Sequence, residues 1–311
     1  MKIITITLNP AFDVHCNIDN LQLYKENYAS AVVRHAGGKG VNISRALCRF
    51  GVDNTALCVV GESGGEEFLN SLRNDGIICK YVTESGRIRE NITIHSLSGE
   101  TRISFEGFKL SEGTANKLYT MIEQEYEPDT IVTFAGRLCD GITRSDAVQF
   151  LLSIKRMGVK VMVDCNSFTK EDLLQIKPFL IKPNEQEIGQ LLGVEISNEA
   201  DALNAAKSFY DKGIENVIIS LGARGFVFYG ENGGYIVNVP VIEPVSTIGA
   251  GDSLIAGFVV GVSFGSDVEN TLKSAAAFGT AACLAEGTNP PEKDVVSSIK
   301  DKICVHKITE V

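Results

Sequence analysis

The sequence predicts an α/β fold in which a mostly parallel sheet is flanked by helices and carries a small β-sheet lid. Three observations support this. Short β-rich runs alternate with longer helix-compatible stretches, which indicates parallel strands joined by crossover helices. Two segments, 13–35 and 87–108, break that alternation. The last third reads as successive helices, with Pro290-Pro291 separating the final two.

In chain order, Ile3–Leu8 is a strand followed by a helix over Val41–Phe50. Thr55–Val60 is followed by Gly65–Asp75, Thr130–Phe134 by Thr143–Met157, and Val159–Val163 by Glu171–Lys177. Val217–Ser220 is a near-continuous apolar run of the kind buried on both faces of a parallel sheet. Asn91–His95 and Thr101–Phe105, parted by the turn-like Ser98-Gly99-Glu100, suit a small antiparallel sheet. One of its faces would be wet and partly apolar, so the sheet suits a lid or a dimer surface. Helices are expected at Ala250–Phe264, Val268–Ala285 and Glu292–Lys302. The whole of 1–311 reads as one domain, with no internal repeat or long linker.

Bulk properties exclude several classes. A formal net charge of −10 argues against a broad footprint for nucleic acid or an anionic membrane, so an anionic substrate would need locally placed cations. The apolar start at Met1 is too short for a signal peptide, and no segment reaches the roughly 18–20 apolar residues of a membrane helix, which points to the cytoplasm. The eight cysteines form no C-x-x-C pair and have no His at zinc-finger spacing, so they read as reduced core residues.

Four motifs carry chemistry. In Thr247-Ile248-Gly249-Ala250-Gly251-Asp252-Ser253 the glycines allow close backbone approach, while the following helix N-terminus attracts an anion. Asp252 would then sit where it could take a proton from an attacking hydroxyl; the other reading is a helix start that Asp252 merely caps. Ala36-Gly37-Gly38-Lys39-Gly40-Val41-Asn42 is a second glycine-rich helix start, with Lys39 as a point charge and Asn42 as donor and acceptor for a sugar hydroxyl, or else a plain loop. It is not a P-loop, for the Lys is followed by Gly. Lys182-Pro183-Asn184-Glu185-Gln186-Glu187 offers either a capped helix or a pair, Asn184 and Glu187, that organises the hydration of Mg2+ on a nucleotide. Ser220-Leu221-Gly222-Ala223-Arg224-Gly225 follows a buried strand, where open α/β sheets bind ligands, although a tight β-turn would explain it too.

Taken in order, and with the opening Thr7-Leu8-Asn9-Pro10-Ala11-Phe12-Asp13 and Arg89-Glu90-Asn91, these motifs resemble the ribokinase/PfkB carbohydrate kinase family over nearly the whole chain. Within it the resemblance is to the 1-phosphofructokinase and tagatose-6-phosphate kinase branch. It implies a three-layer ribokinase-like core and an ATP- and Mg2+-dependent sugar-phosphate kinase, and it leaves room for a monovalent cation such as K+. Asp13, Gly38 and Asn42 would hold sugar hydroxyls, and Lys39 and Arg89 would face the phosphate already on the substrate. Lys182, Asn184 and Glu187 would serve Mg2+ and the ATP phosphates, with Glu187 acting through water. Ser220, Gly222 and Gly225 would line the nucleotide side, and adenine would lie near Ala275–Ala282 and Gly287-Thr288. The amides of Gly249, Ala250 and Gly251 would form an anion hole, with Asp252 as base. A homodimer clasped through the lid is also implied.

Two positions depart from the family pattern. Tyr28 stands where an Arg is frequent, and Arg137, in Ala135-Gly136-Arg137, replaces a small hydroxyl residue and adds a cation for the substrate. Fructose 1-phosphate is the first substrate expected, with tagatose 6-phosphate, fructose 6-phosphate and an unphosphorylated sugar or nucleoside as alternatives. A non-catalytic sugar-phosphate or nucleotide sensor is disfavoured because a binder needs no Asp252. A dinucleotide-dependent oxidoreductase is disfavoured by the absence of G-x-G-x-x-G after the first strand.

Overall fold

The computed structural model describes residues 1–308. The chain opens with β1 (Ile3–Thr7), β2 (Ala11–Asn17), β3 (Ala31–Gly37), α1 (Lys39–Arg49), β4 (Thr55–Ser63), α2 (Gly65–Asn74), β5 (Ile78–Arg87), β6 (Arg89–Ser96) and β7 (Gly99–Ser104). It continues through α3 (Thr114–Glu125), β8 (Ile131–Ala135), α4 (Arg144–Lys155), β9 (Lys160–Asp164), α5 (Lys170–Ile176), β10 (Leu180–Ile181), α6 (Glu185–Leu192), α7 (Glu199–Tyr210) and β11 (Asn216–Ser220). It closes with β12 (Phe226–Gly230), β13 (Gly233–Asn238), α8 (Ala250–Ser263), α9 (Val268–Ala282), α10 (Lys293–Lys300) and β14 (Cys304–Ile308).

The main sheet has the order β14-β13-β12-β11-β10-β9-β8-β1-β4-β5. From β11 to β5 every pair is parallel, and β11 to β14 are joined antiparallel. Its central strands are buried on both faces because they are apolar at successive positions. Val217 and Ile219 enter one core while Ile218 enters the other. One core is covered mainly by α2 to α7 and the other by α1, α8, α9 and α10, which makes three layers.

A second sheet, order β3-β2-β6-β7, comes from the two segments that broke the alternation. It is not wholly antiparallel as expected. Its central pair β2·β6 is parallel, because the long excursion through α1, β4, α2 and β5 separates them and lets β6 return in the same sense. That register sets Asp13 beside Asn91, and Asn91 in turn beside Ser104.

The end of the chain also differs from the helical reading. β14 forms the sheet edge through Val305↔Val237, and the hairpin β12–β13 was not anticipated. Phe226, Val227 and Phe228 are buried in succession, a pattern that periodicity alone cannot assign to a strand. Among the described residues no helix is long and apolar enough to cross a membrane.

Candidate active site

Sequential strands leave β1 in one direction to β4 and β5, and then in the other from β8 to β11, so the strand order reverses between β1 and β8. Ligands of open α/β sheets bind outside the strand C-termini at such a reversal. There the structure has a cleft of about 520 Å³. It is lined by Thr7 at the end of β1, Gly136 and Arg137 after β8, Asp164 at the end of β9, Lys182 and Asn184 after β10, and Ser220 at the end of β11.

Asp252 lies in the first turn of α8 behind Gly249, which adopts a left-handed conformation (φ 78°). It does not cap the helix. Its Oδ2 instead accepts a hydrogen bond of 2.9 Å from Asn42 Nδ2, joining the two glycine-rich helix starts. Burial raises the Asp252 pKa to about 6; Lys39 opposes that rise, Asp164 adds to it, and the Asn42 bond and Lys182 oppose it. A carboxyl poised there is ionised at neutral pH yet basic enough to take a proton.

Asp164, absent from the sequence-based list, organises the cations beneath it. Lys39 Nζ donates to its Oδ2 at 3.0 Å and Lys182 Nζ lies 3.6 Å from its Oδ1. Burial alone would raise the Asp164 pKa, but Lys182 and Lys39 hold it below the usual carboxylate range. Burial would likewise lower the Lys39 pKa, and the carboxylates Asp164 and Asp252 overcome it and raise it. Lys39, expected to act with Arg89 on the substrate phosphate, pairs with Asp164 and also lines the cleft. A charged residue closing the apolar run Val161–Val163 was the available signal for Asp164.

In the same cleft, Arg89 and Arg102 contact Asn91 and Asp13, and Arg137 adds a third cation near Arg89. Asn91 Nδ2 donates to Asp13 Oδ1 at 2.9 Å, and Arg89 Nη1 donates to Asn91 Oδ1 at 3.2 Å. Arg102 Nη2 is 3.9 Å from Asp13 Oδ1. Burial pulls the Arg89 pKa below its ordinary value; Asp13 resists this, and Arg137 and Arg102 add to it. The cluster is therefore short of negative charge. Arg89 Nε is buried without a hydrogen-bond partner, as are Thr7 Oγ1, Asn9 Oδ1 and Thr288 Oγ1, all from residues that line the cleft.

Most residues singled out in the sequence thus line one cleft: Asp13, Gly38, Lys39, Asn42, Arg89, Arg137, Lys182, Asn184, Glu187, Ser220, Gly249, Gly251 and Asp252. Ala250, Gly222 and Gly225 do not. The Ala250 amide turns back to the Thr247 carbonyl at 3.4 Å. Gly222 and Gly225 close the tight turn between β11 and β12, where Gly225 N donates to Gly222 O at 3.1 Å. A Cβ on Gly225 would collide with the Val237 carbonyl, so this glycine serves packing. Tyr28 and Lys25 are exposed and lie outside the cleft.

The residues expected to face a magnesium nucleotide have chemistry that would suit one. Asn184 and Glu187 form a reciprocal capping box, with Glu187 N donating to Asn184 Oδ1 at 2.8 Å and Asn184 N to Glu187 Oε2 at 2.9 Å. Both still line the cleft, and Glu187, whose carboxylate also caps the helix, would offer a hard oxygen to a hydrated Mg2+. At Gly251 a Cβ would sit 3.0 Å from Lys182 Nζ, so bare backbone lies against the cation where a phosphate would approach.

Comparison with known proteins agrees with this geometry. The profile of the pfkB family carbohydrate kinase matches residues 7–294. A 1-phosphofructokinase of Vibrio cholerae is 29% identical over 305 residues, covering 98% of this chain and 96% of that protein. One from Borreliella burgdorferi is 33% identical over 283 residues, covering 91% and 92%. The crystal structure of Escherichia coli phosphofructokinase-2 in complex with substrates and products superposes with a TM-score of 0.90 at 25% identity, covering 97% of this chain and 99% of that one. A further crystal structure of that protein is in complex with potassium, at 26% identity and a TM-score of 0.89, covering 97% and 98%.

Proposed function

The chain belongs to the pfkB family of carbohydrate kinases and is a phosphotransferase, and from that premise we propose that it transfers the γ-phosphoryl group of ATP to fructose 1-phosphate, giving fructose 1,6-bisphosphate. The observation that carries this reading is that one cleft holds both a buried carboxylate in the first turn of a helix and three arginines. The first arrangement suits a transfer and the second suits a substrate that already bears a phosphate.

In this reading the arginine group of Arg89, Arg102 and Arg137 holds the C1 phosphate, and Asp13 with Asn42 and the Gly38 backbone hold the sugar hydroxyls. The C6 hydroxyl then faces Asp252. As its oxygen bonds to the γ-phosphorus and the bond to the ADP oxygen breaks, its proton passes to Asp252. Amides at the start of α8, with Lys39 and Lys182, stabilise the charge that moves through the phosphoryl oxygens. Glu187 would hold a hydrated Mg2+ accompanying ATP, which would supply further charge neutralisation. Ser220 and Asn184, bridged to each other along the strand ends, border the nucleotide.

The small sheet forms a lid over the sugar and limits access of water to the phosphoryl group. It also forms the contact of a homodimer, in keeping with its exposed Val32, Leu97, Ile103 and Phe105. A monovalent cation such as K+ accompanies ATP, and the enzyme works in the cytoplasm.

A coupled ADP-release assay over fructose 1-phosphate, tagatose 6-phosphate, fructose 6-phosphate and a set of nucleosides tests the substrate. The highest kcat/KM is expected for fructose 1-phosphate. Saturable turnover of a nucleoside with none of any sugar phosphate would overturn the assignment.

A further inference from the structure

One buried arginine beside the cleft has no part in the chemistry above. Arg45 lies on α1 one turn beyond Asn42 and is 7% exposed. A buried guanidinium requires acceptors for its donors. Nε donates to Asp75 Oδ2 at 2.8 Å, Nη2 to the Ala36 carbonyl, and Nη1 to Asn42 Oδ1 at 3.2 Å. Asn42 passes the chain on, donating through Nδ2 to Asp252 Oδ2 at 2.9 Å.

The donor and acceptor inventory gives these contacts a direction. A guanidinium can only donate and an ionised carboxylate can only accept. An amide placed between them satisfies both in one orientation, oxygen toward Arg45 and NH2 toward Asp252. Turned over, it would set an N–H against the guanidinium and its oxygen against the carboxylate. Lys39, Asp164 and Lys182 also act on Asp252 electrostatically, but the residue that bonds the Asn42 oxygen is Arg45.

We propose that Arg45, anchored by Asp75, is a positioning residue for phosphoryl transfer that locks the Asn42 amide with its NH2 facing Asp252. The proposal rests on the reading of Asp252 as the base. Its consequence is chemical rather than merely mechanical, since a donor to the carboxylate favours the ionised form that accepts the proton. Without the lock the Asn42 amide samples both orientations, and Asp252 loses that donor for part of the time.

The test uses Arg45→Met, Arg45→Lys and Asp75→Asn in the full chain. The titration of Asp252 is followed in the ligand-free protein by carboxyl 13C NMR, with the resonance identified by its loss in Asp252→Asn, and the pH dependence of kcat/KM is recorded in parallel. Arg45→Met is expected to move the Asp252 midpoint up by roughly half a pH unit or more. It should lower kcat about tenfold while KM for ATP stays within about twofold. Arg45→Lys, which retains a cationic donor, should recover part of both effects. Asp75→Asn should act in the same direction but less strongly, and it carries the test with Arg45→Lys should Arg45→Met fail to fold. A folded Arg45→Met or Asp75→Asn protein whose Asp252 titrates as in the parent would overturn the positioning role. Full turnover by Asp252→Asn would instead sink the base assignment alone, because the NMR titration is read without substrate.

Discussion

Asn42 and Asp252, 210 residues apart in the chain, are joined by a hydrogen bond of 2.9 Å across the two glycine-rich helix starts. The bond places the residue expected to hold a sugar hydroxyl directly on the residue expected to deprotonate one. A single hydroxyl can therefore meet both, and the most direct prediction concerns Asp252→Asn. The variant should lose about 10²- to 10⁴-fold in kcat, the range a positioned general base contributes. Its dissociation constant for ATP, measured by calorimetry, should stay within about threefold. Unchanged turnover would exclude the proposed role.

The same substitution should stabilise the free protein at neutral pH. In the folded chain the Asp252 pKa is raised from 3.8 to about 6. The unfolded chain therefore ionises this group first, and stability falls as pH rises between those values. Above pH 6 the full penalty applies, about 3 kcal/mol at 1.36 kcal/mol per unit. Asp252→Asn removes it, so its gain in denaturation midpoint should be greatest at pH 7–8 and shrink toward pH 4. An equal gain at both ends of that range would mean that burial does not raise this carboxyl.

The parallel strands and the glycine-rich helix starts were legible in the sequence because each depends on local signals: apolar runs that leave no wet face, and glycines ahead of a helical stretch. The functions of those motifs needed one another, since Asp252 alone was compatible with a helix cap. Asp164 and Arg102 were not legible. Asp164 gains its meaning from Lys39 and Lys182, which reach it from elements far away in the chain. Arg102 sits in a wholly exposed strand and reaches the cleft only through the register of β6 with β7. Of the two readings of Ser220–Gly225, the tight β-turn accounts for Gly225, since the Val237 carbonyl of β13 occupies the space beside it.

Asp164 should matter for stability as well as for transfer. Its removal leaves Lys182, 6% exposed in its side chain, without the carboxylate it faces. Breaking a buried pair from one side costs about 3 to 5 kcal/mol. Asp164→Ala should lower the urea midpoint accordingly, and Asp164→Ala with Lys182→Met should recover a substantial part. If the double variant were no more stable than the single one, the two side chains would not be energetically coupled.

Recognition of the substrate phosphate can be separated from recognition of ATP at the arginine cluster. Arg89 is partly buried, bonds Asn91, and has an unpartnered Nε, whereas Arg137 is exposed at the cleft mouth after β8. A charge-assisted bond to phosphate is worth about 1.5–3 kcal/mol, with the larger values expected where solvent is excluded. Arg89→Ala should therefore raise KM for fructose 1-phosphate by about 10- to 100-fold and KM for ATP by no more than about threefold. Arg137→Ser, which restores the small hydroxyl residue common in the family, should raise the sugar-phosphate KM by a smaller factor, about threefold to tenfold, because water and salt screen an exposed guanidinium. Its effect should also weaken as ionic strength rises, while that of Arg89→Ala persists. Steady-state kinetics with each substrate varied at two salt concentrations reads all of these quantities, and an equal rise in both KM values for Arg89→Ala would remove this residue from the substrate side.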